Sequence, residues 1–317
     1  MKYLITGGTG FLGSYVAKNL IDGGHHVVCY DFAPNVNSIQ QVLTREELES
    51  VTIRSGNICD LAGFTHVCQD EKVDTIIHLA GLLKSACEEN VPAAIDTNLS
   101  GTVNIFEAAR ICGIKRVVYA SSIDAIGQPD FIEEPILRND VPHMPLNIYG
   151  KLKDACEFMG AFYNTRYGLE TVGLRYVVTY GKARMRGGSN WIVELLNKPA
   201  MNIDSVVPFG DATSDMIYVK DAAGATVLAA SVCADRLKQP AYTITGEAKS
   251  VREMRDYVAE LLPHVDIQLQ PGTLELEKGY DGSAAREDLG YTPKYSVFEG
   301  IRETIRLIRT EAGLTSI

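Results

Sequence analysis

Residues 1–31 leave this chain little choice of fold. Met1 to Thr6 reads as a short apolar strand, and Gly7-Gly8-Thr9-Gly10-Phe11-Leu12-Gly13 as a glycine-rich turn. Residues 14–22 place Val16, Ala17, Leu20 and Ile21 at helical spacing, and Gly23-Gly24 stops that helix. Residues 25–30 form a second strand with Asp31 at its end. Strand, tight turn, helix, strand and acid, in that order, make a dinucleotide-binding unit. Backbone N–H groups at a helix start hold a pyrophosphate, and glycine lets the main chain come close because no Cβ intervenes. The glycines fit G-x-G-x-x-G from Gly8 and G-x-x-G-x-x-G from Gly7; the second phase, Gly7, Gly10 and Gly13, is preferred. Asp31 suits the adenosine ribose hydroxyls and repels a 2′-phosphate, and Phe32-Ala33-Pro34 brings no arginine to neutralise one. NAD is expected over NADP.

The same rhythm continues. Strands are predicted at 51–54, 73–79, 115–120 and 170–175, with helices at 61–69, 92–112 and 149–167. Strict alternation predicts an α/β fold: a Rossmann-like, doubly wound parallel sheet covered on both faces, with ligands at the strands' carboxyl ends. Gly7 to Gly13, Asp31, Asn57, Gly81, Ser122 and Arg175 all fall at such ends. After about Val177 proline- and glycine-bearing segments break the pattern. Helices are predicted there at 189–197, 221–234, 250–262 and 298–311, and strands at 241–245 and 265–269; Ser250 and Glu253 suit a capping box. The expected division is an NAD-binding domain over 1–176, joined by some later segments, and a smaller substrate lobe over 177–317.

Composition narrows the function classes. The net charge of −10 argues against a nucleic-acid surface. No apolar run approaches ~20 residues, so no membrane span is expected. The first strand begins at once, so neither is a signal peptide. Seven cysteines, an odd number with no C-x-x-C, suggest a reducing cytoplasm, no disulfide framework and no metal site. His78 follows an apolar strand and reads as structural.

Tyr149 and Lys153 stand at i and i+4 at the start of a predicted helix, and no other tyrosine has a lysine four residues on. A free phenol titrates near ~10, too high for a base at neutral pH. A neighbouring ammonium is expected to lower it. The same lysine can reach a nicotinamide ribose, and Ser122 can supply a second hydroxyl to a substrate oxygen.

Together these stretches resemble the extended short-chain dehydrogenase/reductase family, its NAD-dependent epimerase/dehydratase group. The likeness runs through TGGTGFLG at 6–13, GNICD at 56–60, HLAG at 78–81, NLSGT at 98–102, SSIDAIG at 121–127, YGKLK at 149–153, LRYVVTYG at 174–181 and SDMIYVKD at 214–221. It implies Tyr149 as general acid/base, Lys153 as its electrostatic partner and Ser122 as second oxygen contact. It implies NAD held by Gly7, Gly10, Phe11, Leu12, Gly13 and Asp31, with Asn57 and Ile58 by the adenine. Leu79, Ala80 and Gly81 would lie beside ribose and phosphates, with Asn98 a further contact or a packing residue. Relatives acting on nucleotide sugars carry asparagine at the position of Val178 and arginine at that of Ser214, the groups that grip the diphosphate. The expected substrate is therefore a small sugar, sugar acid or hydroxy acid, met by residues among Lys84, Ser121, Ser122, Arg175, Val178, Arg184, Arg186, Ser189 and Asn190. The leading expectation is a cytoplasmic NAD-dependent dehydrogenase acting on a secondary hydroxyl. An epimerase that keeps its NAD comes next, and a non-catalytic NAD sensor is remote. The resemblance also implies a homodimer through helices 92–112 and 149–167.

Overall fold

The computed structural model describes residues 1–129, 131–184, 191–276 and 278–317. Seven strands form the central sheet: β1 Lys2–Thr6, β2 His26–Asp31, β3 Val51–Ser55, β4 Thr75–His78, β5 Arg116–Ser122, β6 Glu170–Tyr176 and β7 Ala241–Ile244. Their spatial order is β7-β6-β5-β4-β1-β2-β3, and every pairing is parallel. This is the doubly wound arrangement read from the alternation, and β7 is a late segment that returns to the sheet edge.

Alternation along each strand builds two cores, because successive side chains point to opposite faces. Tyr3, Ile5, Val27, Cys29, Ile77 and Val118 face one layer, which contains helices α1 (Phe11–Asp22) and α5 (Val219–Ser231). Leu4, Val28, Ile76, Val117 and Tyr119 face the other, covered by α2 (Leu61–Asp70), α3 (Gly101–Cys112) and α4 (Ile148–Tyr167). Helix 92–112 of the sequence reading is three consecutive pieces: Val91–Ala94, a π-helical turn Ile95–Ser100, and α3.

The later chain adds α6 (Val251–Leu261) and α7 (Val297–Glu311), each opened by a capping box, Ser250 with Glu253 and Ser296 with Glu299. A three-stranded sheet joins Val178–Tyr180, Thr213–Tyr218 and Glu247–Ser250. No helix among the described residues is long and apolar enough to cross a membrane.

Candidate active site

The glycine turn connects β1 to α1 across the carboxyl edge of the sheet. Gly10 is the N-cap of α1 and no side chain caps it, so the first-turn N–H groups stay free for an anion. A Cβ at Gly13 would lie 2.1 Å from the Gly7 carbonyl oxygen, so only glycine lets the helix start pack onto the turn. Asp31 lies beside this cradle. Its Oδ2 accepts from Thr9 N at 2.7 Å and from Thr9 Oγ1 at 2.6 Å, and burial raises its carboxyl above the usual range. Among the described residues no protein donor meets its other oxygen.

Tyr149, Lys153 and Ser122 come together at the end of β5. Asn147 caps α4 by accepting from Gly150 N at 2.8 Å, which sets Tyr149 in the first turn and Lys153 one turn on. Lys153 is only 7% exposed. Its Nζ donates to the Ala120 carbonyl at 2.6 Å and lies 5.7 Å from the centre of the Tyr149 ring. Burial pushes this ammonium down. Among the described residues Ala120 supplies its one acceptor, so a buried cation has donors to spare beside Gly81. That spare capacity, the uncapped helix and the Gly13 approach fit NAD.

The expectation that Lys153 lowers the Tyr149 phenol is not met in this structure. Burial raises it, and the Asp124 carboxylate adds to the rise. The Ser122 hydroxyl beside it offsets part of the rise. Its own proton, however, goes to Asp124 Oδ2 at 2.9 Å rather than outward.

Other expected residues fall differently. Ser121 and Arg175 do not face a substrate. Ser121 Oγ donates to Glu157 Oε1 at 2.5 Å, and Arg175 pairs with the same carboxylate at 2.6 Å, all buried behind the sheet end. The reason is the strand pleat: Ser121 pairs with Arg175 across β5 and β6, and both turn toward Glu157 on α4. Asn98 is also internal, accepting from Leu82 N at 2.7 Å and donating to Leu82 O at 2.9 Å. Leu79 N donates to Thr6 O at 3.0 Å and Ala80 N to Thr6 Oγ1 at 3.3 Å, which brings this segment against Gly7. Asn57 shapes its loop by accepting from Cys59 N at 2.9 Å, and Ile58 is buried behind it.

Lys84 forms an ion pair with Glu275 of the later chain. Arg184 donates to the Thr179 carbonyl and lies over the Phe11 ring at 5.9 Å; burial lowers its guanidinium to about 10. Val178 pairs with Met216, and Ser214 is buried in the adjoining strand. Arg186, Ser189 and Asn190 lie outside the described residues.

The sequence reading gave Asp124 and Asp215 no role in the site. Asp124 holds Ser122, and Asp215, raised to about 6 by burial, accepts only from Gly246 N at 3.3 Å among the described residues. Tyr280, with its hydroxyl buried and unpartnered among them, feels both carboxylates. Ser-x-Asp at 122–124 is a local turn signal that could have flagged Asp124. Glu157, two helical turns beyond Tyr149, was legible from its spacing.

Comparison with known proteins adds four findings. Residues 3–245 match the family described as the NAD dependent epimerase/dehydratase family. A putative UDP-glucose 4-epimerase of Methanocaldococcus jannaschii is 29% identical over 313 residues, covering 96% of this chain and 98% of that one. The UDP-glucose 4-epimerase of Thermus thermophilus, solved with NAD, is 25% identical with a TM-score of 0.83, covering 98% of this chain and 99% of that one. A partial-consensus L-threonine 3-dehydrogenase superposes with a TM-score of 0.87 at 21% identity over 98% and 100% of the two chains, a likeness of fold.

Proposed function

Because the chain belongs to the NAD-dependent epimerase/dehydratase family and is an NAD-dependent enzyme, we propose that it oxidises a secondary hydroxyl of a small sugar, sugar acid or hydroxy acid. The observation that supports this most is the convergence of Ser122, Tyr149 and Lys153 at one strand end. In this reading Tyr149 exchanges the proton of the substrate oxygen, Lys153 orients and charges the site, and Ser122 steadies the phenol. NAD, when bound, supplies the hydride acceptor. The uncapped start of α1 with Gly7, Gly10, Phe11, Leu12 and Gly13 would take its pyrophosphate, and Asp31 its adenosine ribose. Asn57 and Ile58 would border the adenine, residues 79–81 the ribose and phosphates, and Lys153 the nicotinamide ribose. Residues from 177 onward would close the substrate side, with Arg184 placed to meet an anionic group.

Valine at 178 and serine at 214 favour a substrate without a diphosphate, since neither offers an amide or guanidinium. The second reading is an epimerase that returns the hydride, and the curated epimerase relatives favour it. A screen of sugars, sugar acids, hydroxy acids and UDP-glucose, reading both NADH formation and substrate interconversion, separates the two. Net NADH supports the dehydrogenase; interconversion without it supports the epimerase. Tyr149→Phe should cut turnover at least ~100-fold while leaving NAD affinity within a few-fold; undiminished turnover would overturn the role given to Tyr149.

We further place the protein in the cytoplasm as a homodimer. Phe158 and Phe162 on α4, 73% and 46% exposed, stand one turn apart, and Phe162 meets the Tyr167 ring edge-on. Apolar rings left in water on α4 suit a helix-to-helix contact with a second copy.

A further inference from the structure

Thr9 stands between Gly8 and Gly10 in the glycine turn and is only 2% exposed. Its main-chain N–H donates to Asp31 Oδ2 at 2.7 Å, and its Oγ1 lies 2.6 Å from the same oxygen. Asn35 N, from the loop after β2, donates to that Oγ1 at 3.0 Å. The Asn35 side chain in turn accepts from Ser38 N at 3.2 Å and caps the short helix Val36–Ile39.

A threonine hydroxyl has one proton to give. Asp31 Oδ2 already accepts the Thr9 N–H, so it is an unprotonated oxygen, and the hydroxyl proton goes to it as well. A lone pair of the hydroxyl takes the Asn35 N–H. With its proton and its acceptor both engaged inside the protein, this hydroxyl is not placed to hold a phosphate. Thr9 instead grips one oxygen of Asp31 twice, and the carboxyl group cannot turn without breaking a hydrogen bond. The oxygen left over, Oδ1, meets no donor among the described residues. A carboxylate rejects a 2′-phosphate only while it is held in place; a free one swings aside.

We propose that Thr9 is a positioning residue for cofactor choice: its hydroxyl locks Asp31 with Oδ1 toward the adenosine ribose, and the preference for NAD over NADP depends on that lock as well as on the charge of Asp31. This rests on the reading of Asp31 as the acid that meets the ribose, and deepens it.

Dissociation constants of NAD and NADP, measured by isothermal titration calorimetry, test this without turnover. Thr9→Val keeps the volume and the branch at Cβ and removes the hydroxyl. It should weaken NAD about tenfold, the lower end of what one hydrogen bond to a charged group contributes, and leave NADP within about twofold, so the ratio between the two narrows. Thr9→Ser, which keeps the hydroxyl, should retain the native ratio. In an Asp31→Ala background, Thr9→Val should change NAD affinity by less than about twofold, because the group it positions is gone. A turn that merely packs badly would weaken both cofactors alike, with or without Asp31. Either of those outcomes overturns the proposal, as does a ratio in Thr9→Ser that narrows as far as in Thr9→Val. Thr9→Ala carries the same expectations, should Thr9→Val fail to fold. If Asp31→Ala by itself leaves NAD affinity unchanged, the ribose reading of Asp31 falls and the proposal with it. If Asp31→Ala weakens NAD and Thr9→Val does not, the proposal alone falls.

Discussion

Glu157 and Arg175 are 5% and 4% exposed, a fully internal ion pair at the edge of the reactive groups. The guanidinium is further held by Asn139 O at 2.8 Å, and the carboxylate takes Ser121 as well. Removing one partner leaves an uncompensated buried charge, which costs far more than the pair contributes. Glu157→Gln should therefore lower the unfolding free energy by about 3–5 kcal/mol, read from urea unfolding at pH 7. The pair also shows where residue-level reading stops. Arg175 stands at a strand end, where ligand groups collect, and nothing within the strand's own sequence says that a helix side chain claims it first. Tyr149, Lys153 and Glu157 stand at i, i+4 and i+8, so one helix face carries both the reactive phenol and the acid that diverts Arg175.

His78 ties three elements together at the carboxyl edge. Its Nδ1 meets Thr6 Oγ1 of β1 at 2.6 Å and its Nε2 meets Thr102 Oγ1 of α3 at 3.0 Å. Thr102 Oγ1 gives its proton to Asn98 O and so accepts from Nε2, while Thr6 Oγ1 accepts from Ala80 N and has its proton for Nδ1, so the site suits the neutral ring. Burial, then the Lys153 charge, lowers its pKa to about 3. The unfolded chain protonates this histidine near ~6.5 and the folded chain does not, so the folded state binds fewer protons between these values. The stability it contributes is complete above that pH and is lost as pH falls toward 3, at about 1.4 kcal/mol per unit. In urea unfolding at pH 7, 6 and 5, His78→Gln should show a shallower loss than the native protein; parallel slopes would count against this account. The sequence placed His78 correctly as structural, since it follows a fully apolar strand, but not what it fastens.

At the scale of the whole molecule, α4 leaves two phenylalanine rings in water. Phe158 and Phe162 are one helical turn apart on α4, next to α3. Phe158→Glu together with Phe162→Glu should convert a dimer into a monomer in sedimentation velocity without changing the far-UV spectrum. A native protein that sediments as a monomer at micromolar concentration would remove the basis for this proposal. The Lys84–Glu275 ion pair joins the first half of the chain to its last third.

The glycine turn, the strand–helix alternation and the Tyr149–Lys153 spacing were all set by short-range order. Each depends on dihedral freedom, period or i,i+4 distance, which neighbours in the chain fix among themselves. Which acceptor holds the Ser122 proton was settled by packing, because Asp124 reaches its place only when the loop docks under α4 and Asn147 closes over it. The fate of Arg175, the raised Tyr149 phenol and the return of Ala241–Ile244 to the sheet edge were settled in the same way. These depend on burial and on distant partners, such as the Glu157 that lies 18 residues before Arg175, and a linear pattern carries no record of either.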